Sequence, residues 1–172
     1  MIGYFKQAIV PVLLLVLAGA TGCSVQAGDR DNKSPQAEQQ KDGTLSKAGL
    51  RLVALTISSG GQSHVFTVEL AGTAQEQARG LMFRKELAPD KGMIFPFTET
   101  RMANFWMKNT VIPLDIIFIR SDRTIESIAA NTTPYSLDPV ESGEPVAAVL
   151  ELAGGRAAEL GIVPGDKVEW PD

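Results

Sequence analysis

The sequence predicts a mostly β domain of the α+β class with two short helices. Residues 50–57, 63–70 and 112–119 carry the apolar spacing of strands, whereas the helix signals are few and cover two turns or less. With 172 residues, of which 44% are hydrophobic and 21% charged, the chain is long enough to bury one core. We therefore expect a single β-rich globular domain and assign residues 49–172 to it.

A hairpin is predicted at the start of this domain, because Gly60 and Gly61 separate the first two strand-patterned stretches. A helix follows, since Thr73 and Glu76 have the spacing of a capping box. We expect this helix to end at Gly80 after about two turns.

The middle of the domain is predicted to be β structure as well. The stretch at residues 93–97 contains Pro96, which places that strand at a sheet edge or gives it a bulge. Residues 104–119 are expected to form two strands around a tight corner, the second being a central strand because it is apolar on both faces. A second hairpin is predicted at residues 124–129.

The last third contains a long loop, a strand and one more helical turn. Residues 131–145 hold three prolines and are predicted to be one loop. Residues 146–152 form an apolar strand that contains Glu151, and residues 156–160 a single helical turn. A last short strand is expected to end at Trp170.

The first 22 residues predict an export signal. The apolar block at residues 8–20 is shorter than the roughly 20 residues of a membrane span but has the size of a signal core. The only cysteine follows it, and residues 20–23 resemble a bacterial lipobox, which implies cleavage before Cys23 and lipid attachment to it. We therefore expect a membrane anchor on Cys23, and Ser24 is compatible with sorting to the outer membrane.

An ordinary signal is the alternative, with cleavage after the small residues at 18–20 or 25–27. Residues 24–48 are polar with almost no apolar bulk, which predicts a flexible tether. Either reading places the exported domain in the cell envelope or periplasm.

Composition excludes several classes of function. The net charge of −4 and the lack of a basic block argue against nucleic acid as a partner. One cysteine and one histidine cannot build a Cys/His zinc site, a redox Cys-x-x-Cys pair or an internal disulfide. We expect no cofactor, because no nucleotide-binding or flavin-binding loop motif is present.

Five motifs resemble the "domain of unknown function 192" family: residues 79–84 (RGLMFR), 92–97 (GMIFPF), 105–110 (FWMKNT), 112–116 (IPLDI) and 165–168 (GDKV). The resemblance spans about residues 50–169. It implies a compact, mostly β fold with two short helices, usually in secreted or envelope proteins, and it implies no activity. The last motif also resembles the Gly-Asp turn of small pseudo-barrels, so we expect a small, compact, barrel-like sheet.

The principal functional hypothesis is a non-catalytic binding or interaction module. It would take a small anionic or sugar-like ligand, or an envelope partner, with guanidinium groups facing the ligand and an aromatic wall beside it. The candidate ligand-binding residues are Arg79, Arg84, Trp106, Lys108, Asn109 and Asp115. The alternative for Asp115 is a structural ion pair with Arg79 or Arg84.

Two other hypotheses concern catalysis and metal binding. Asp115 and Glu151 could serve a hydrolase or transglycosylase of envelope glycan if their strands are neighbours and the carboxyl groups lie about 5–9.5 Å apart. Thioethers suit Cu(I), and four methionines, Met82, Met93, Met102 and Met107, lie within 26 residues of one another. Core packing is the alternative for these methionines.

His64 is the one histidine and lies near in sequence to these methionines. It could have a catalytic or metal-binding role. The alternative is a strand-end histidine with one nitrogen hydrogen-bonded.

Overall fold

The computed structural model describes residues 44–171, and the predicted signal, Cys23 and the tether up to residue 43 lie outside them. The strands are β1 (Leu52–Ser59), β2 (Gln62–Leu70), β3 (Lys91–Arg101), β4 (Asn104–Phe105), β5 (Leu114–Ile119), β6 (Ile125–Ala129), β7 (Val140–Glu141), β8 (Val146–Ala153) and β9 (Lys167–Glu169). The helices are α1 (Ala74–Arg79) and α2 (Arg156–Glu159). No helix in this described part is long and apolar enough to cross a membrane.

Seven of these strands form one mixed sheet in the order β6-β5-β8-β3-β2-β1-β9, and β4 pairs with β7. The sheet curls until its two edges meet, because a bridge joins Thr124 to Lys167 and the Ile125 N–H donates to the Asp166 carbonyl at 2.9 Å. The architecture is a half-barrel with two short helices. The predicted mostly β, barrel-like fold is therefore confirmed.

The first hairpin turns at the predicted glycines. Ser59 pairs with Gln62, and Gly60 and Gly61 have φ values of +56° and +79°. Two successive positive φ values are typical of a type I′ turn, whose twist matches that of the strands it joins.

Helix α1 lies in the connection between β2 and its parallel neighbour β3. Its capping box is formed as predicted: the Glu76 N–H donates to the Thr73 hydroxyl at 3.2 Å, and the Thr73 N–H donates to the Glu76 carboxylate at 2.8 Å. The bond from the Thr73 backbone also lowers the pKa of Glu76. These bonds fix where the helix begins.

Pro96 pairs with Ala148 of β8, whereas the pairing of β3 with β2 ends at Ile94, short of Pro96. At Pro96 the strand is therefore paired on one side only, as expected of an edge position. The register between β3 and β8 also shifts after Pro96, so the predicted bulge is present as well.

The two strands predicted within residues 104–119 both form, but they lie in different sheets. β5 is central in the main sheet, as expected, but β4 pairs with β7 inside the stretch that was predicted to be one loop. A strand as short as β7 carries no alternating pattern, and strand patterning does not identify a strand's partner.

Each face of the sheet packs against its own core. The interior of the half-barrel is filled by alternate residues of all seven strands, among them Leu55, Phe66, Ile94 and Leu150. The outer face of β3, β5 and β8 is covered by residues that follow β2 and by the aromatic segment around β4. Successive side chains of one strand therefore enter different cores.

Residues 44–50 fold back on the start of β1. The Leu52 N–H donates to the Thr44 carbonyl at 2.9 Å, and Leu45 forms a bridge with Arg51. The tether was predicted to reach residue 48, whereas its last residues here are paired with the domain.

Candidate functional site

Glu151 is the central residue of the candidate site. It lies on β8 between Met93 of β3 and Ile116 of β5, and its side chain points into the outer core. Only 5% of the residue is exposed, and its Oε2 atom has no hydrogen-bond partner within residues 44–171. Burial raises the pKa of Glu151 to about 8, so the carboxyl group is mostly neutral at pH 7.

A cleft of about 590 Å³ opens above this carboxyl group. Its walls come from α1 and the residues after it, from β3, and from the aromatic segment around β4. The side chains that line it include Arg79, Phe95, Arg101, Asn104, Phe105 and Trp106. The cleft is larger than one side chain and suits a small-molecule ligand.

Aromatic rings form one wall of the cleft. Phe95 and Phe105 pack edge to face with ring centroids 5.2 Å apart, and Phe105 contacts Phe118 in the same way at 6.5 Å. Trp106 is 50% exposed, and the Lys108 ammonium lies 5.0 Å from its ring centroid. The deep rings are thus held by core packing, while Trp106 stays half exposed with Lys108 over its ring.

Two arginines line the same cleft. Arg79 is in the last turn of α1, is exposed, and has no ion-pair partner in the part of the chain that the structure describes. Arg101 ends β3, with its guanidinium carbon 3.9 Å from the ring centroid of Phe97. The cleft therefore has a neutral acid at its base and positive charges on its walls.

The loops beside the cleft have strained backbones. Phe83, Asn109 and Tyr135 have φ values of +64°, +58° and +63°. Hydrogen bonds join these loops: the Phe83 N–H donates to the Asn109 carbonyl at 2.9 Å, and the Tyr135 N–H donates to that of Thr110 at 3.1 Å. A positive φ is unfavourable for bulky side chains and is tolerated where the surroundings enforce it, often at functional sites.

The structure brings only some of the predicted ligand-binding residues to this cleft. Arg79 and Trp106 line it, and Lys108 lies beside Trp106. Asn109 is outside the lining, and its side-chain amide lies 3.8 Å from the sulfur of Met82.

Arg84 lies elsewhere. Its two terminal nitrogens donate to the two carboxylate oxygens of Glu69 at 3.1 and 2.6 Å. This pair borders a second cleft, of about 680 Å³, between β2 and residues 84–92. The guanidinium fork that was expected to bind an anionic ligand is thus occupied by a carboxylate of the chain itself.

Asp115 is a buried structural acceptor. The N–H groups of Asn131 and Gly155 donate to its Oδ1 at 2.7 and 2.8 Å, and the Ala157 N–H donates to its Oδ2 at 2.7 Å. The alternative prediction, an ion pair between Asp115 and an arginine, is wrong, because backbone amides donate to this carboxylate. Asp115 thereby holds the start of α2 against β5.

Asp115 and Glu151 do not form a carboxylate pair. Asp115 is opposite Leu152, and Glu151 is opposite Ile116. Since opposite residues share a face and successive residues alternate, the two carboxyl groups project from opposite faces of the sheet. The geometry that a two-carboxylate hydrolase requires is absent for this pair.

The four methionines have different surroundings, and Met82 lines the cleft. Met93 and Met107 are buried in the outer core, whereas Met102 is 55% exposed. The Thr132 hydroxyl lies 3.1 Å from the Met107 sulfur and donates to the Leu114 carbonyl at 2.9 Å.

His64 lies on β2 opposite Ile57, half-buried, and is not part of the cleft lining. Its Nε2 atom has no hydrogen-bond partner in the described chain. Among the described residues, no group of His, Cys, Asp and Glu side chains could hold a metal ion.

Phe95, Arg101 and Asn104 line the cleft and were not among the site residues predicted from the sequence. Arg101 and Asn104 lie just before the aromatic motif at residues 105–110, and this proximity in sequence could have identified them as site residues. They lie near Arg79 because α1 is in the connection between the parallel strands β2 and β3, and residue spacing does not predict that these strands pair.

The family model of domain of unknown function 192, described as "uncharacterized ACR", matches residues 55–170. The chain belongs to this family. The match includes both short helices, the cleft residues named above and the closing strand β9. No curated protein matches the chain in sequence.

Two solved structures resemble this member of the family. A protein of unknown function from Novosphingobium aromaticivorans is 52% identical, with a TM-score of 0.74, and the match covers 77% of this chain and 95% of that one. A Sinorhizobium meliloti protein described as a "putative transcription regulator" is 44% identical, with a TM-score of 0.69, and the match covers 74% and 98%. Neither description states a ligand or an activity.

Proposed function

We propose that the protein is an exported, membrane-tethered binding module that takes a small anionic or sugar-like ligand in the cleft above Glu151. The observation that carries this proposal is the buried carboxyl group of Glu151, which lines the cleft and whose Oε2 atom has no hydrogen-bond partner within residues 44–171. Buried polar atoms in folded proteins are nearly always hydrogen-bonded. A ligand atom would supply the missing partner.

The walls of the cleft favour the ligand class. Arg79 and Arg101 would attract an anionic group, and a guanidinium fork matches carboxylate and phosphate geometry. The exposed indole of Trp106 offers a flat apolar surface on which a sugar ring or another planar body can pack.

A hydrolase of envelope glycan is the second candidate, because a neutral buried carboxyl group in a cleft can act as a general acid. Such a reaction also needs a base or nucleophile. Glu69 shares the face of Glu151, but it lies two strands away, roughly 10 Å, and is bound by Arg84. Binding without turnover is therefore the better-supported function.

The proposed location follows from the amino terminus of the sequence. Lipid on Cys23 would hold the protein on a membrane surface, with the outer membrane as the proposed site, and the polar stretch from residue 24 would give the domain reach. The ligand would then be a component of the cell envelope or periplasm.

The test is capture of small molecules from an envelope extract by the full-length chain, with native mass spectrometry as the readout. We expect an added mass on the wild type that is lost in Ala78→Trp, which places an indole in the cleft. The matched control is Gln75→Trp, on the same helix but outside the cleft lining. The proposal fails if the added mass is absent, or is unchanged by Ala78→Trp.

A further inference from the structure

The base of the cleft determines which chemical group can bind beside Glu151. A neutral carboxyl group is a hydrogen-bond donor with acceptor capacity to spare, whereas an ionised one is an acceptor only. Burial raises the pKa of Glu151 to about 8, so at pH 7 the group that awaits a partner is chiefly an O–H donor. The complementary ligand atom is a strong acceptor.

Two kinds of ligand group could meet this carboxyl group. A neutral amide carbonyl would accept its proton without introducing charge into the apolar core. An ammonium group would require the carboxyl to ionise, and both charges would lose water where Met93, Ile116 and Phe95 surround them. The neutral amide is favoured because it needs no buried charge.

The apolar neighbours of Glu151 indicate what accompanies the carbonyl. Phe95 and Phe105 meet edge to face beside the cleft and leave an apolar wall. A methyl group attached to the carbonyl would bury its surface against these rings. An acetyl group on nitrogen combines the acceptor and the methyl.

The cleft walls add the remaining features of the ligand. Arg79 and Arg101 are the cations that line the cleft, while Glu69 on the same face is paired with Arg84. Arg79 and Arg101 are exposed whereas Glu151 is buried, so these cations would meet a different part of the ligand from the part that meets the carboxyl group. One molecule can therefore place an amide at the base and an anionic group at the walls.

We infer that the cleft binds an N-acetylated amino sugar bearing a carboxylate, with the acetamido carbonyl accepting a hydrogen bond from Glu151. The sugar ring packs on Trp106, and the carboxylate faces Arg79 and Arg101. This inference rests on the proposed function and adds the ligand class to it.

Three probes on one chemical scaffold test the inference. N-acetylmuramic acid carries the acetyl group and the carboxylate, N-acetylglucosamine lacks the carboxylate, and muramic acid has an ammonium in place of the acetamido group. Isothermal titration calorimetry of the full-length chain at pH 7 should show N-acetylmuramic acid binding about tenfold more tightly than either of the others, because each lacks one interaction.

Two variants of Glu151 test whether this residue donates the hydrogen bond to the acetamido carbonyl. Glu151→Met removes the donor with little change in size and should weaken N-acetylmuramic acid about tenfold, whereas Glu151→Gln keeps a donor and should retain binding. Wild-type affinity should fall as pH rises through 8, where Glu151 ionises, and the Gln variant should show no such fall. Arg79→Gln should weaken N-acetylmuramic acid more than N-acetylglucosamine, which lacks the carboxylate. Lys85→Gln, exposed and outside the cleft lining, is the control for the loss of one charge.

Three results would overturn the inference. Tighter binding of muramic acid, with affinity rising with pH, would show an ammonium at Glu151. Equal binding of N-acetylmuramic acid by wild type and Glu151→Met would show that Glu151 does not contact the acetamido group. Absence of binding by any probe excludes the ligand class, and capture from the envelope extract then decides separately whether the cleft binds anything.

Discussion

Asp115 and Glu151 lie on adjacent strands, one residue out of register, and their carboxyl groups point in opposite directions through the same sheet. Asp115 accepts three backbone hydrogen bonds, whereas the Oε2 atom of Glu151 accepts none within residues 44–171. Two acids that look equivalent in sequence are therefore different in kind: one completes the fold and the other faces a cleft.

Stability should fall with pH because of Glu151. Its pKa in the folded domain is about 8 compared with an ordinary value of 4.5, so the unfolded chain releases this proton first as pH rises. The contribution is fully present below pH 4.5 and is lost by about pH 8, a change of at most about 5 kcal/mol in the free energy of unfolding. Urea unfolding at pH 5, 6, 7 and 8 measures it. Glu151→Gln should flatten this profile, and parallel profiles for the two proteins would contradict the assignment.

Asp115→Asn should destabilise the domain without a specific effect on the cleft. The amide keeps only one acceptor oxygen, so at least one of the N–H groups of Asn131, Gly155 and Ala157 loses its partner. We expect the free energy of unfolding to fall by about 2–4 kcal/mol. Denaturant melts measure this loss, with Asp138→Asn, an exposed position, as the control. An unchanged midpoint would show that these bonds are dispensable.

Gly92→Ala should be destabilising because β3 and β8 approach closely at this residue. A Cβ atom there would lie 2.5 Å from the Glu151 carbonyl oxygen and 2.8 Å from a methyl group of Leu152. We expect a loss of about 1–3 kcal/mol. Gly72→Ala is the matched control, since its nearest neighbour is the movable end of Leu70 at 3.0 Å. Equal thermal midpoints for both variants would refute the close approach.

Thr73→Ala should loosen the wall of the cleft that α1 forms. It removes the acceptor for the Glu76 N–H and should cost about 1 kcal/mol. Hydrogen exchange of the α1 amides should become faster, while exchange in the central strand β5 should not change. Gln75→Ala, on the same helix, is the comparison, and equal exchange rates in the two variants would argue against a role for the cap.

Much of the fold was predictable because its signals are local. The glycine pair predicted the first hairpin, and Thr73 with Glu76 predicted where α1 begins. The pairing of β4 with β7 was not predictable, since strand register depends on contacts between distant parts of the chain.

The candidate site was predicted only in part for the same reason. Arg79 and Trp106 were recognised by residue type, and both line the cleft. Arg84 has the same type but is held by Glu69, which only tertiary structure could reveal. The role of Asp115 was missed because backbone amides, present at every position, leave no signature in a sequence.

The meeting of the two sheet edges has a consequence for how the chain acquires its structure. β9 pairs with β1, and Lys167 bridges to Thr124, so the end of the domain completes contacts with its beginning and its middle. A chain still emerging during synthesis would expose the edge of β1 until residues 167–169 are made. Closure of so long a loop is slow compared with local folding, so we expect pairing of β9 with β1 to be among the last contacts to form.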